Sequence, residues 1–167
     1  KSTRRYMVYV GANDGMFHAF DGGLTKAMAE AGTPADTNGG RERFAYIPAT
    51  SLGHLGNLLF PYDAANQNDQ KFRHRYYVDG PVAVSDAYYS GSWKTVAVGT
   101  MGAGGKGAFA LNVTNASTAT PFTASSRLWE VSDLNTSLSA AVRASIGHVL
   151  GKPVIVPVKT TDGNVTW

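Results

Sequence analysis

The sequence predicts an all-β chain built from recurring antiparallel strand units with short helical insertions, and three observations support it. Arg5 to Asp21 (RYMVYVGANDGMFHAFD) and Lys94 to Asn112 (KTVAVGTMGAGGKGAFALN) are variants of one unit, in which an alternating strand enters a Gly-rich turn and returns through a second alternating strand. Val78-Asp79-Gly80-Pro81-Val82-Ala83-Val84 is echoed, with one inserted residue, by Val149-Leu150-Gly151-Lys152-Pro153-Val154-Ile155-Val156, and each copy leads on to a tryptophan, Trp93 or Trp167. Finally, the 19 glycines cluster at turns between short apolar runs, which suits many short strands and opposes a helical bundle.

Taken in order, the repeat reads as a Gly/Pro-led strand, a turn, a second strand, a Gly-rich turn and a third strand. Arg127-Leu128-Trp129-Glu130-Val131-Ser132 supplies a fourth. Four antiparallel strands per unit is the construction of a propeller blade, so the chain reads as part of a β-propeller. The expected divisions are an incomplete blade over 1–47, a helical and loop insertion over 48–78, a complete blade over 79–132 and the start of a later blade over 147–167. A partial ring exposes sheet edges, which the remaining blades would have to cover.

Between these units, Leu24 to Ala31 contains good helix formers, and the Gly/Pro/Asn-rich stretch to Gly40 ends any regular element. Arg43 to Ile47 alternates and is expected to return to a sheet. Pro48 to Phe60 sets Leu52, Leu55, Leu58 and Leu59 on one helical face, with Thr50 or Ser51 as N-cap and Pro61 beyond the end. Asp63 to Asp69 reads as an exposed polar loop. Lys71 to Tyr77 (KFRHRYY) alternates as a strand, Thr114 to Ser126 is a Ser/Thr/Ala-rich linker, and Ser137 to Ile146 suggests a helical turn.

Bulk properties narrow the function. The 167 residues carry a net charge of only +3, 15 basic against 12 acidic, which gives no footprint for nucleic acid even where Lys71 to Tyr77 interleaves Arg with aromatics. No apolar run reaches a membrane span and no signal peptide is visible, so any targeting segment is expected upstream. Cysteine is absent, which removes disulfides and thiolate metal sites.

Chemistry-bearing motifs are few. Gly102-Ala103-Gly104-Gly105-Lys106-Gly107 satisfies the G-x-G-x-x-G pattern, but a strand, Ala108 to Leu111, follows it where a dinucleotide site needs a helix N-terminus. Gly102, Gly104, Gly105 and Gly107 are therefore read as structural turn residues, as are Asn13-Asp14-Gly15, a strong hairpin signal, and Gly80-Pro81. The oxygen donors at Asp36, Asn38 and Asp63 to Asp69 lack the spacing of a calcium loop. His18, His54, His74 and His148 share no metal-binding spacing, and no nucleophile motif is present. No catalytic, cofactor-binding or metal-ligating residue is assigned.

The segments VYVGANDGMFHAFDGG, ERFAYIPATSLGHL, HRYYVDGPVAVSDAYY, WKTVAVGTMGAGGKGAFALNVT, RLWEVSD and IGHVLGKPVIV, in that order, resemble the C-terminal propeller of PilC/PilY-type proteins, factors of bacterial type IV pili. The resemblance implies a non-enzymatic role in pilus biogenesis, opposition to pilus retraction, twitching motility and attachment. It further implies pilus subunits and host or abiotic surfaces as partners, and a location at the cell surface, pilus tip or outer membrane. It also implies a calcium loop beyond Trp167, so no ligand is transferred to this segment. Thr25 to Gly40, Gly53 to Asp69 and Thr114 to Ser126 are the candidate contact loops. The alternative from another class is a pyrroloquinoline-quinone dehydrogenase-type propeller, which VYVGxNDGxxHAFD alone also resembles.

Overall fold

The computed structural model describes residues 3–62, 71–116 and 122–167, so the expected loop from Asp63 to Asp69 and part of the Thr114 to Ser126 linker lie outside the described residues. Two antiparallel sheets dominate. The first joins β1 (Arg5–Gly11), β2 (Phe17–Thr25) and β3 (Glu42–Tyr46) in the order β1-β2-β3. The second is a four-stranded meander of β4 (Val82–Tyr89), β5 (Ser92–Thr100), β6 (Gly107–Asn112) and β7 (Arg127–Ser132), each strand paired with the next in sequence.

Alternation fixes which face of each strand is buried. Along β2, Phe17, Ala19 and Asp21 are buried while His18 and Phe20 lie on the other face. The two hairpins share a register, with Gly11 opposite Phe17 in one and Gly99 opposite Phe109 in the other. Phe17 and Phe109 then meet edge to face at 5.3 Å, so the two units bury equivalent faces against each other. Ala19, Phe44, Val78, Ala97, Met101, Leu111 and Val113 complete this core. A smaller cluster, Ala87, Val96, Val98 and Ala110, lies on the opposite face of the second sheet, where Ile155 packs on it.

Short helices interrupt the strands. Expected over Leu24 to Ala31, the first, α1, covers Lys26–Glu30, because β2 continues to Thr25 and Thr25 Oγ1 caps the helix by accepting the Met28 amide. Pro48 to Phe60 is not one helix. It divides into α2 (Ala49–Leu52) and a 3-10 turn (Leu55–Leu59). The N-cap is Pro48, while Thr50 and Ser51 are buried inside the turn. The helix start is served from a distance instead, since Ala49 donates its amide to Glu130 Oε1 at 2.8 Å. Leu52, Leu58 and Leu59 remain exposed. A helical turn does form near the C-terminal end as α3 (Ala140–Ser145), capped by Ser139.

Lys71 to Tyr77 joins no sheet and ends in a bend at Tyr77. The side chain of Asn57 takes the place of a partner strand, donating to the Arg73 carbonyl at 2.7 Å and accepting the Arg73 amide at 3.0 Å. Residues 152–157, which overlap the Val149 to Val156 echo of the β4 lead, likewise form no ladder, and β8 (Val158–Lys159) and β9 (Val165–Thr166) follow as a two-residue hairpin.

Candidate functional site

Several of the residues read as turns from the sequence, Asn13, Gly15, Gly102 and Gly104, meet one short segment, Tyr77 to Gly80, which crosses from the first sheet to the second. Asn13 Oδ1 accepts the Tyr77 amide at 3.2 Å, and the Val78 amide reaches the Ala12 carbonyl at 3.4 Å. From the other side, Asp79 and Gly80 donate to the carbonyls of Met101 and Thr100. Tyr77 and Val78 are almost completely buried. The Tyr77 hydroxyl donates to the His54 carbonyl at 2.9 Å, which ties the 3-10 turn to the same point.

Close approach explains most of these glycines. A Cβ on Gly104 would lie 1.7 Å from the Tyr77 carbonyl oxygen, and one on Gly80 would lie 2.0 Å from Thr100 Oγ1 and 2.5 Å from its carbonyl oxygen. Gly105 abuts Thr50, and Gly15 abuts Leu55 and Tyr77. At Gly107 conformation matters as well, because φ is +146° where the chain passes beneath the Val131 carbonyl. Gly102 opens the 3-10 turn Gly102–Gly104, and the Pro81 carbonyl accepts the Thr100 hydroxyl at 3.2 Å. Asp14 Oδ1 accepts the Met16 amide at 2.9 Å in an Asx turn, leaving Oδ2 for His18.

His18 lies between two carboxylates. Its Nδ1 is 2.6 Å from Glu42 Oε1 and its Nε2 is 2.9 Å from Asp14 Oδ2, so each ring nitrogen faces a carboxylate oxygen and the arrangement favours the doubly protonated ring. Partial burial opposes that charge, but the bond to Glu42 and the charge of Asp14 outweigh it and raise the His18 pKa above its ordinary 6.5.

A second polar centre was not legible as such. Asp21 is 1% exposed and accepts Arg5 through both carboxylate oxygens at 2.7 to 2.9 Å, Arg43 at 2.6 and 3.0 Å, and the Gly23 amide at 2.8 Å. Burial alone would raise the Asp21 carboxyl, yet Arg5, the Gly23 amide and Arg43 hold it down to about 2. Arg5 also spans to both oxygens of Asp36, so Asp36 and then Asp21 push the guanidinium above its usual value. The junction therefore pins the insertion after α1 to all three strands of the first sheet. Asp21 closes the first repeat in the sequence, but its partners come from residues 16 to 22 positions away, and only the folded register unites them.

Glu130 joins the sheets in the same manner. Its Oε2 accepts the Tyr46 hydroxyl at 2.5 Å while Oε1 holds the α2 amide, and burial together with Glu130 raises the Tyr46 pKa.

No described residues fit a metal. The carboxylates of Asp21 and Asp36 are saturated by guanidinium groups, Asp162 is bonded to Thr160 and Asn164, and no group of three His, Asp or Glu side chains among the described residues is placed to hold a metal ion. No described helix is long and apolar enough to cross a membrane.

Comparison with known proteins supplies the context. The family described as the PilY1 beta-propeller domain matches residues 1–166. A type IV pilus biogenesis factor PilY1 homolog of Xylella fastidiosa is 42% identical over 99% of this chain, and PilY1 of Pseudomonas aeruginosa PAO1 is 40% identical over 69% of it. The chain spans about a tenth of the length of these curated relatives, 9% and 8% respectively. The crystal structure of the Pseudomonas aeruginosa PilY1 C-terminal domain aligns with 77% of this chain and 18% of its own, at 36% identity and a TM-score of 0.45.

Proposed function

Since the chain belongs to the PilY1 β-propeller domain family, we propose that it forms part of the propeller of a type IV pilus biogenesis factor and acts by binding rather than catalysis. The observation that carries this reading is the 42% identity extending over 99% of the chain, insertions included. The role is mechanical and adhesive: a rigid set of antiparallel sheets supports pilus assembly, opposes retraction and promotes twitching motility and surface attachment. Its partners are pilus subunits, host or abiotic surfaces and the remaining blades of the same protein, and its location is the cell surface, at the pilus tip or outer membrane. Calcium, where the full-length protein binds it, belongs to residues outside this segment.

The geometry is compatible with such work, because the polar clusters brace the fold and leave the loops to make contacts. Among the described residues no feature favours the quinone-dependent alternative. The test is replacement of this segment in the full-length gene. Loss of surface pili and of twitching, with the protein still exported at its normal level, is the expected result. Intact piliation and motility would overturn the proposal.

A further inference from the structure

Between β3 and β4 the chain leaves the sheets and folds into a small cap, to which neither end of the chain contributes. Its two parts are the 3-10 turn Leu55–Leu59 with its flanking residues, and Lys71 to Tyr77. They lie side by side and run in opposite directions. The Phe72 amide donates to the Pro61 carbonyl at 2.7 Å, Asn57 holds the Arg73 main chain, and Arg75 Nη1 lies 3.1 Å from His54 Nδ1. Tyr62 and Phe72 stack at 5.9 Å. On the inner side, the Tyr77 hydroxyl fastens the cap to the fold through the His54 carbonyl.

The outer surface of this cap is at once apolar and cationic. Leu59 and Tyr62 are 87% and 85% exposed, and Leu58, Phe60 and Tyr76 are also open to solvent. Large apolar side chains scattered singly over a surface are ordinary, but here they share one short stretch. Lys71, Arg73 and Arg75 are exposed on the adjoining segment, and none of them meets a carboxylate among the described residues. Arg4, Arg5 and Arg43, by contrast, each pair with an aspartate. The three cap cations equal the net charge of +3 of the whole chain, whose other basic and acidic residues balance. Neither Gly53 to Tyr62 nor Lys71 to Tyr77 contains an acid, and Asp63 and Asp69 lie outside the described residues.

We propose that this cap binds the surface of an anionic lipid bilayer, with Leu58, Leu59 and Tyr62 entering the headgroup region and Lys71, Arg73 and Arg75 meeting lipid phosphates. In interfacial binding the burial of apolar side chains and the attraction of cations to anionic headgroups add together. Tyrosine and the aliphatic stems of Lys and Arg suit the boundary between hydrocarbon and water. A hydrophilic polyanion would engage the cations and leave the leucines in water, so the mixed surface favours lipid. The inference concerns lipid binding alone and stands whether or not the pilus role holds.

The test uses the full-length protein. Flotation with vesicles of phosphatidylglycerol and phosphatidylcholine is expected to carry it, vesicles of phosphatidylcholine alone to carry much less, and salt to weaken the binding. K71Q/R73Q is expected to reduce affinity for the anionic vesicles about thirtyfold, roughly fivefold for each cation. Because Asn57 holds the Arg73 main chain, this change leaves the cap's own bonds in place. L59S/Y62S, altered at exposed side chains, is expected to weaken binding to the same vesicles while keeping its salt dependence. Circular dichroism melting checks the fold of each variant. Hydrogen exchange of the parent protein is expected to slow over residues 54–62 and 71–76 when anionic vesicles are added. Undiminished vesicle binding by L59S/Y62S would assign the cations to a hydrophilic polyanion and overturn the proposal. Failure of the parent protein to bind anionic vesicles, or equal binding by K71Q/R73Q, would overturn it too.

Discussion

Asp21→Asn removes one negative charge at nearly constant volume from a site where two guanidinium groups and one amide converge. The carboxyl is displaced from 3.8 to about 2, and at 1.36 kcal/mol for each pKa unit this corresponds to a native-state preference for the anion of roughly 2.5 kcal/mol. Breaking a buried ion pair by neutralising one partner typically costs about 3–5 kcal/mol, because the other charge stays behind uncompensated. A loss of about 3 kcal/mol is therefore expected, a large fraction of the 5–15 kcal/mol or so that usually stabilises a domain. Urea unfolding at pH 7, followed by far-ultraviolet circular dichroism, measures it. The depressed pKa also sets the acid limb. Asp21 contributes its full stabilisation above the unfolded value near 4, and the contribution disappears as pH falls through about 2. That part of the acid limb is expected to flatten in the variant. A midpoint equivalent to within about 0.5 kcal/mol of the parent chain, the range of ordinary surface substitutions, would refute the account of the junction.

Other expectations concern the turns and the segments they hold. Gly104→Ala forces a methyl against the Tyr77 main chain and is expected to cost at least about 3 kcal/mol, the upper end of overpacking, by the same denaturation assay, whereas Gly53→Ala, which meets open space, is expected to change little. His18 is expected to titrate above 6.5 by NMR, and its contribution to stability, present in full below that value, to fall as pH rises through the folded pKa. In His18→Gln that alkaline loss is expected to vanish. Asn57→Ala removes both bonds to the Arg73 main chain and is expected to cost about 1–2 kcal/mol, with faster amide exchange at Arg73.

The strands were legible where local alternation and turn chemistry agreed. β1, β2, β5 and β6 each carry the period of two, and Asn13-Asp14-Gly15 and the Gly102 to Gly107 run sit where the chain reverses. Lys71 to Tyr77 carries the same alternation without joining a sheet, because a side chain, Asn57, satisfies its main chain and period alone does not specify a partner. Local rules also misplaced the cap of α2, whose acceptor is Glu130, 81 residues away. The glycines were recognisable as turn residues, but their closeness to Tyr77 and Gly80 depends on how two turns meet across the sheets. Asp21, Arg5 and Arg43 gave no motif, since an ion cluster on three strands is separated in sequence by whatever the hairpins require.

Asp36 is the one carboxylate of its insertion, and it grips Arg5 while also accepting the Asn38 amide. The excursion beyond α1 is thus moored to β2 through Asp36, whose amide also reaches the Gly23 carbonyl, and through the Gly40 amide on the Asp21 carbonyl, with the exposed Thr33, Pro34, Ala35 and Thr37 beside Asp36. Lineages of this protein could rewrite those neighbouring residues to suit new surroundings while the mooring, and the sheet below it, stayed unchanged. The same economy offers a grafting point for foreign peptides, provided that the acidic anchor is kept.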